Sequence, residues 1–494
     1  MWQPKERIKY KPVPGRWPTA AQATSSKLFS PLKNGRLELE QRTWIPAMVP
    51  WRATEEGEVT PAVIDWYRRF AQGRPGAIVI EATGVRDIPS GPLLRAGHDR
   101  YIEGLAKIVS AVRQASGGHT RLFIQLIDFL TVRRRIAAEL YIERYLPNVE
   151  RYAQALALAS DASESEIRNR LLTLDKDQLK DVLSPRDHSD LMYGFRDRVS
   201  DLNNPAIAEL PKILPQQFAD AALRAQHAGF DGVELHFAHA YTMASFLSHT
   251  NNRQDNYGGS LENRLRLPME IFHAVRKTLS QDQVVGARQL SEECIDNGSE
   301  LSDSAYFATQ FAAQGMDFIS VSRGGKFDDA KQPKVGSAVY PYTGRSGYEC
   351  MPQYVSDQAG PFGRNIEPTA EIRKKIRDSG LTTPVVVAGG FHNFEQAEHA
   401  LTNDKADIIG FARQSMADPD WFEKVRRGKG SEVRLCEYTN YCEGLDQKHK
   451  QVTCNLWDRT NLDEPGCAKS HDNRRRLIAP DWQPLTIKPD SGGS

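Results

Sequence analysis

Residues 230–266, FDGVELHFAHAYTMASFLSHTNNRQDNYGGSLENRLR, decide how the rest of the chain is read. The stretch opens with a short run, 233–235, apolar at Val233 and Leu235, of the kind that forms a strand buried on both faces. Directly after it stand His236, His239 and Tyr241. Side chains alternate across a strand, so the apolar residues pack while the strand end releases its polar groups into a loop. Two imidazoles and a phenol there can grip a carbonyl oxygen and donate a proton beside it. One histidine alone would more simply bond a backbone neighbour. Three such groups at one strand end point to chemistry.

Outward from this stretch the chain alternates apolar runs with helical periodicity. Strands are expected at 44–49, 76–82, 121–127, 232–236, 284–290, 316–322, 384–390 and 406–412. A helix opened by Thr60-Pro61 follows the first, and others are expected at 101–114, 216–228, 263–279, 303–314, 370–378 and 394–401. Eight buried strands, each followed by a helix, predict an α/β fold of the (β/α)8 TIM-barrel type. The expected organisation is an N-terminal extension at 1–26, a barrel at 27–435 and a C-terminal tail at 436–494.

Two insertions interrupt the rhythm, one after strand three (130–213) and one after strand six (324–367). Both leave from strand C-terminal ends, where barrels hold their active sites. The first is amphipathic and charge-rich; it reads equally as a lid or as helices packed outside the barrel. The second is rich in glycine, proline and aromatics, namely Tyr340, Tyr342, Tyr348, Tyr354 and Phe362. It reads as a wall of the substrate pocket, with Tyr340 and Tyr342 as candidate substrate contacts.

The 494 residues carry a net charge of +1, 40% apolar and 26% charged residues. That balance speaks against nucleic-acid or anionic-membrane partners and favours a small-molecule substrate. No apolar run approaches the ~20 residues of a membrane span, and no apolar signal core is visible at the N-terminus. A cytoplasmic location is therefore expected; assembly with copies of itself stays open. Barrels often hold phosphate in the loops after strands seven and eight. Here those loops offer Gly389 and Gly390, then Ala412 and Arg413. Glycine lets backbone N–H groups approach phosphate oxygens, and arginine pairs with them in a fork.

The motif His236-x-x-His239-x-Tyr241, followed by FLS, Asn252, Arg253, Asp255, Tyr257-Gly258-Gly259-Ser260, Asn263 and Arg264, resembles the old yellow enzyme family of FMN-dependent oxidoreductases. Two positions depart from the pattern: Ala240 stands where glycine is usual and His249 where proline is usual. The resemblance implies that Gly389, Gly390, Ala412 and Arg413 hold the FMN phosphate. It places Gln125 at the pyrimidine edge, Arg288 near the ring positions that become anionic on reduction, and Ala47, Met48, Val49 and Ala82 against the flavin. It further implies an ene-reductase, in which NADH or NADPH reduces FMN and an α,β-unsaturated carbonyl compound then takes the hydride. His236 and His239 would bind the substrate oxygen and Tyr241 would supply the proton. Two rival readings are an FMN-dependent dehydrogenase or demethylase that oxidises an amine or cyclic substrate, and a non-catalytic flavoprotein.

The segment at 434–454, RLCEYTNYCEGLDQKHKQVTC, resembles the iron–sulfur motif that ends the barrel half of 2,4-dienoyl-CoA reductase-like members. Cys436, Cys442 and Cys454 occupy three ligand places and Thr439 the fourth. A four-iron cluster wants four thiolates, so the motif is expected to be vestigial, with no metal bound. About 40 residues follow Cys454, so the further nucleotide domains of the longer members are not expected.

Overall fold

The computed structural model describes residues 11–351 and 361–483. Eight parallel strands close into one barrel: Thr43–Ile45, Ala77–Gly84, Arg121–Ile127, Gly232–Phe237, Val284–Leu290, Phe318–Ser322, Val385–Ala388 and Ile408–Gly410. The eighth pairs back onto the first. This is the expected (β/α)8 barrel, with its long insertions after the third and sixth strands.

Two-residue alternation explains why the strands are apolar throughout. Leu122, Ile124 and Leu126 of strand three and Val233, Leu235 and Phe237 of strand four face the helices and belong to the outer core. The alternate residues point inward, where Trp44, Val79, Phe123, Val284 and Phe318 form a separate cluster. Trp44 stacks on Phe123 at 5.2 Å and meets Phe318 edge-on at 4.9 Å. Gly286 makes room for that plug, because a Cβ there would lie 2.3 Å from the Phe318 ring. The hairpin Leu32–Asn34/Leu37–Leu39 adds Leu32, Leu37 and Leu39 to the same cluster.

One step further along the inward rows, carbon gives way to polar groups. The register sets Gln125 beside Glu234, and Arg288 beside both His236 and Ser320. The barrel thus has an apolar plug below and a polar floor at its C-terminal end, the end where barrels place their chemistry.

Several boundaries differ from the sequence reading. The first strand ends at Ile45 rather than 49, since Pro46 has no N–H to offer a ladder. The helix before strand four begins at Leu210 rather than 216; Pro211 lies in its first turn, where no N–H bond is required. The helix Ile366–Asp378 likewise begins inside the second insertion as it was delimited from sequence.

The first insertion builds its own core from Tyr141, Ile142, Val149, Tyr152, Ile167 and Leu171. Buried Arg253 ties it to the barrel, donating to the carbonyls of Val199 (2.5 Å) and Ile207 (3.3 Å). The two insertions meet each other, Arg135 N–H donating to Ser337 O at 2.9 Å. The chain after the barrel folds back beside strand one: Val452 N–H donates to Pro50 O, and Arg52 donates to Val452 O and Leu477 O at 2.8 and 2.7 Å. Residues 1–10, Tyr354 and 484–494 lie outside the described residues. Among the described residues, no helix is long and apolar enough to cross a membrane.

Candidate active site

The site begins where strand four ends. His236 is the last inward side chain of Gly232–Phe237 and is 3% exposed. His239 adopts a left-handed φ of 63°, which costs a non-glycine residue roughly 1–2 kcal/mol. That turn brings His239 Nδ1 to 3.4 Å from His236 Nε2, while His239 Nε2 lies 2.9 Å from Ser322 Oγ at the end of strand six. His236 Nδ1 is buried without a partner. Burial, reinforced by nearby Arg288, pushes His236 down to about 3. Burial and the neighbouring His236 also hold His239 well below the usual histidine range. Both rings are therefore neutral at physiological pH, and one buried nitrogen still wants a hydrogen-bond partner.

Tyr241 precedes the short helix Thr242–Leu247. Its ring lies 5.6 Å from His236 and edge-on to Phe129 at 5.3 Å. Burial pushes its phenol up to about 12. The ring of Tyr342, from the second insertion, meets His239 edge-on at 5.5 Å. Tyr340 lies edge-on to Tyr342 at 5.3 Å, and its hydroxyl donates to Asp446 Oδ2. A cavity of about 470 Å3 lies against Tyr241, lined also by Phe129, Arg196, Arg198, Asn251 and Lys326.

The other candidate residues ring the same barrel mouth. Ala47, Met48 and Val49 are half-buried just past strand one, and Ala82 is buried on strand two. Gln125 Nε2 donates to Glu234 Oε1 at 2.6 Å, committing one of its N–H groups. Half-buried Arg288 donates to Ser320 Oγ at 2.9 Å. Gly389 and Gly390 have φ of 132° and 74°, a backbone path suited to glycine. A Cβ on Gly390 would lie 2.3 Å from Pro361 O. Arg413 donates to Asn440 Oδ1 at 2.5 Å and stacks on Tyr438 at 4.6 Å.

Much of the motif that carried the sequence reading braces the fold rather than lining the site. Asn251 donates to Phe246 O and Tyr257 O, both at 2.8 Å, and Arg264 donates to Leu247 O at 2.9 Å. His249, in the usual proline place, uses its backbone N–H to reach Ser299 Oγ at 2.9 Å, a bond proline cannot make. Residues the sequence reading missed include Ser322, Gly325, Trp51 and Asp446. The glycine pair ending strand six was the available signal for Gly325; nothing local marked Asp446, which lies in the tail beyond the barrel.

The family model for the NADH:flavin oxidoreductase / NADH oxidase family matches residues 170–432, just over half of the chain. The chain belongs to this family. An NADH oxidase of Thermoanaerobacter brockii is 28% identical over 414 residues, 83% of this chain and 52% of that protein. An NADPH dehydrogenase of Bacillus velezensis is 27% identical over 413 residues, 82% of this chain and 96% of that protein. The chain spans about half the length of the first curated relatives it matches. Among solved structures, a 2-naphthoyl-CoA reductase complex shares the fold with a TM-score of 0.62 and 18% identity, over 89% of this chain and 58% of that one. A histamine dehydrogenase from Rhizobium sp. 4-9 gives a TM-score of 0.59 at 22% identity, over 87% of this chain and 52% of that one. Membership of this family of NAD(P)H:flavin oxidoreductases makes a flavin the expected resident cofactor.

Proposed function

We propose that the protein reduces the C=C bond of α,β-unsaturated carbonyl compounds, with FMN as its bound cofactor and NADH or NADPH as reductant. The observation that carries this reading is the buried, neutral His236–His239 pair, with an unpartnered His236 nitrogen beside Tyr241. The residues present fit FMN. Gly389 and Gly390 carry the turn after strand seven, with Pro361 O of the second insertion packed against Gly390, and Ala412 and Arg413 open the short helix after strand eight; these are the residues that would hold the phosphate. Gln125 and Arg288 stand on the polar floor to meet the pyrimidine edge, and Ala47, Met48, Val49 and Ala82 offer small or flexible packing. Bound FMN supplies the two-electron hydride chemistry that links nicotinamide to alkene.

The chain's own residues do the rest. His236 and His239 hydrogen-bond the substrate oxygen as neutral donors and draw density from the alkene. Tyr241 donates its hydroxyl proton to the α-carbon. Tyr340 and Tyr342 wall the pocket with ring edges, and burial of the whole group excludes water. A four-thiolate iron–sulfur cluster does not fit the tail. Cys436 and Cys454 pack with Tyr438 and Trp457 in an apolar cluster, and the fourth place is Thr439, an oxygen donor where a thiolate is wanted.

The test is steady-state turnover of FMN-loaded protein with NAD(P)H and 2-cyclohexenone. Turnover that falls at least ~100-fold in His236→Asn supports the reading, and no enone turnover with either nicotinamide refutes it. One observation favours a second reading, amine oxidation. Tyr340 and Tyr342 lie edge-on to each other beside His239, an aromatic group able to receive an ammonium, and the histamine dehydrogenase fold is similar. Bleaching of the bound flavin by histamine or a methylated amine, without nicotinamide, would favour it.

A further inference from the structure

We propose that Asp446 is a positioning residue that determines substrate specificity: through this one carboxylate, the tail beyond the barrel fixes the aromatic wall against which the body of an enone packs. The inference rests on the enone reading above and deepens it. Asp446 ends the short helix Tyr441–Asp446 and is half-buried. Its carboxylate accepts from Tyr340 Oη–H of the second insertion, and from Trp51 Nε1–H of the loop after strand one at 2.5 Å. The two donors lie 106 and 395 residues away in sequence. Trp51 is itself fixed, its ring stacking on His449 at 4.1 Å. One carboxylate therefore ties the tail, the strand-one loop and the second insertion together. Hydrogen bonds to a carboxylate are roughly twice as strong as those between neutral groups.

The helix is held at its other end as well. Asn440, its N-cap, has a left-handed φ of 55° and donates to Met351 O at 2.8 Å, while its Oδ1 accepts from Arg413 at 2.5 Å. The second insertion thus meets this helix twice, at Met351 and at Tyr340. Further along the tail, Val452 N–H donates to Pro50 O at 3.0 Å, closing it onto the loop that carries Trp51. The helix that bears Cys442 is therefore a strut between the barrel and the second insertion.

Tyr340 passes the constraint inward. Its ring meets Tyr342 edge-on at 5.3 Å, and the Tyr342 ring meets His239 edge-on at 5.5 Å. Gly325 closes the other side, since a Cβ there would lie 2.6 Å from Tyr342 Cε1 and 3.2 Å from His239 Cδ2. The Tyr340 hydroxyl is committed to the carboxylate, so Tyr340 offers ring carbon rather than hydroxyl to the pocket. An enone bonded through its oxygen to His236 and His239 then packs its body on two rings whose places are set from the tail. An aryl substituent gains most from that contact, through stacked or edge-on ring pairs. Without Asp446 the wall keeps its residues and loses its anchor. The Tyr340 ring is then free to turn, and its unpartnered hydroxyl costs free energy until it finds another acceptor.

The test uses FMN-loaded wild type, Asp446→Ala, Tyr340→Phe and the double variant. Each is reduced anaerobically by NADH or NADPH, then mixed with 4-phenyl-3-buten-2-one or with 2-cyclohexenone. Tyr340→Phe removes one oxygen and no packing, and it carries the test should Asp446→Ala fail to fold. Each single variant should raise the half-saturating concentration of the phenyl enone about tenfold and leave its limiting reoxidation rate within about twofold. The smaller 2-cyclohexenone should shift much less. The double variant should match Asp446→Ala, because both changes break the same bond. A loss of limiting rate for both enones alike, losses that multiply in the double variant, or unchanged half-saturation would each overturn the inference and leave the enone reading standing. Wild-type protein that neither enone reoxidises would remove both.

Discussion

Gly325→Ala offers a sharp structural test, because two independent costs can be read from the coordinates. The backbone stands at φ 76°, and moving an alanine into that region costs roughly 1–2 kcal/mol. The new methyl would also lie 2.6 Å from the Tyr342 ring and 3.2 Å from His239. The ring is the movable partner, and a side chain driven about 30° from its rotamer costs about 0.5–1.5 kcal/mol. Together these predict a loss of about 1.5–3.5 kcal/mol, or a displaced insertion that relieves the strain by releasing Tyr342. The assay pairs urea unfolding with single-turnover reoxidation by 2-cyclohexenone. Either stability falls by that amount or enone reoxidation slows, while nicotinamide-driven bleaching is unchanged. A variant with wild-type stability and wild-type enone kinetics would refute the packing argument.

Three further outcomes follow from the same site. His236→Asn should lower kcat/KM for enones about 100-fold or more with little change in flavin reduction by NAD(P)H, as stopped-flow traces of the two half-reactions would show. Arg413→Met should weaken FMN binding at least about tenfold and leave riboflavin binding nearly unchanged, measured by flavin fluorescence quenching; equal losses for both would contradict a phosphate role. The buried histidines also predict an acid limb of stability. Their folded values lie below the unfolded 6.5, at about 3 for His236, so the unfolded chain binds more protons between those values. Stability is therefore full above pH 6.5 and falls as pH drops from 6.5 toward 3, by at most about 1.4 kcal/mol per pH unit per histidine. Urea midpoints at pH 7.5 and 5.5 should differ more in the wild type than in His236→Asn.

The barrel was legible because its strands are short, apolar and regularly spaced, a pattern that only burial on both faces explains. The inward row was harder to see. Trp44, Phe123 and Phe318 look like ordinary strand residues until closure turns them toward one another. The candidate triplet was visible because His236, His239 and Tyr241 are local to one strand end. Tyr342 was marked as an aromatic wall, but its edge-on contact with His239 depends on a fold that sequence spacing does not encode. Asp446 and Trp51 are 395 residues apart and meet only because the tail folds back across strand one. The motif around Arg253 identified the family, yet its arginine reaches backbone carbonyls of the first insertion. A strong family signal thus marked fold support as readily as chemistry.

The most direct test of the central claim is an anaerobic spectrum taken in three steps. FMN-loaded protein is recorded as prepared, again after one equivalent of NADH or NADPH, and again after 2-cyclohexenone. The account predicts flavin bands that bleach with nicotinamide and return with enone, the return being lost in the His236→Asn/His239→Asn double variant. Flavin that nicotinamide leaves oxidised, or reduced flavin that enone leaves bleached in the wild type, would contradict it.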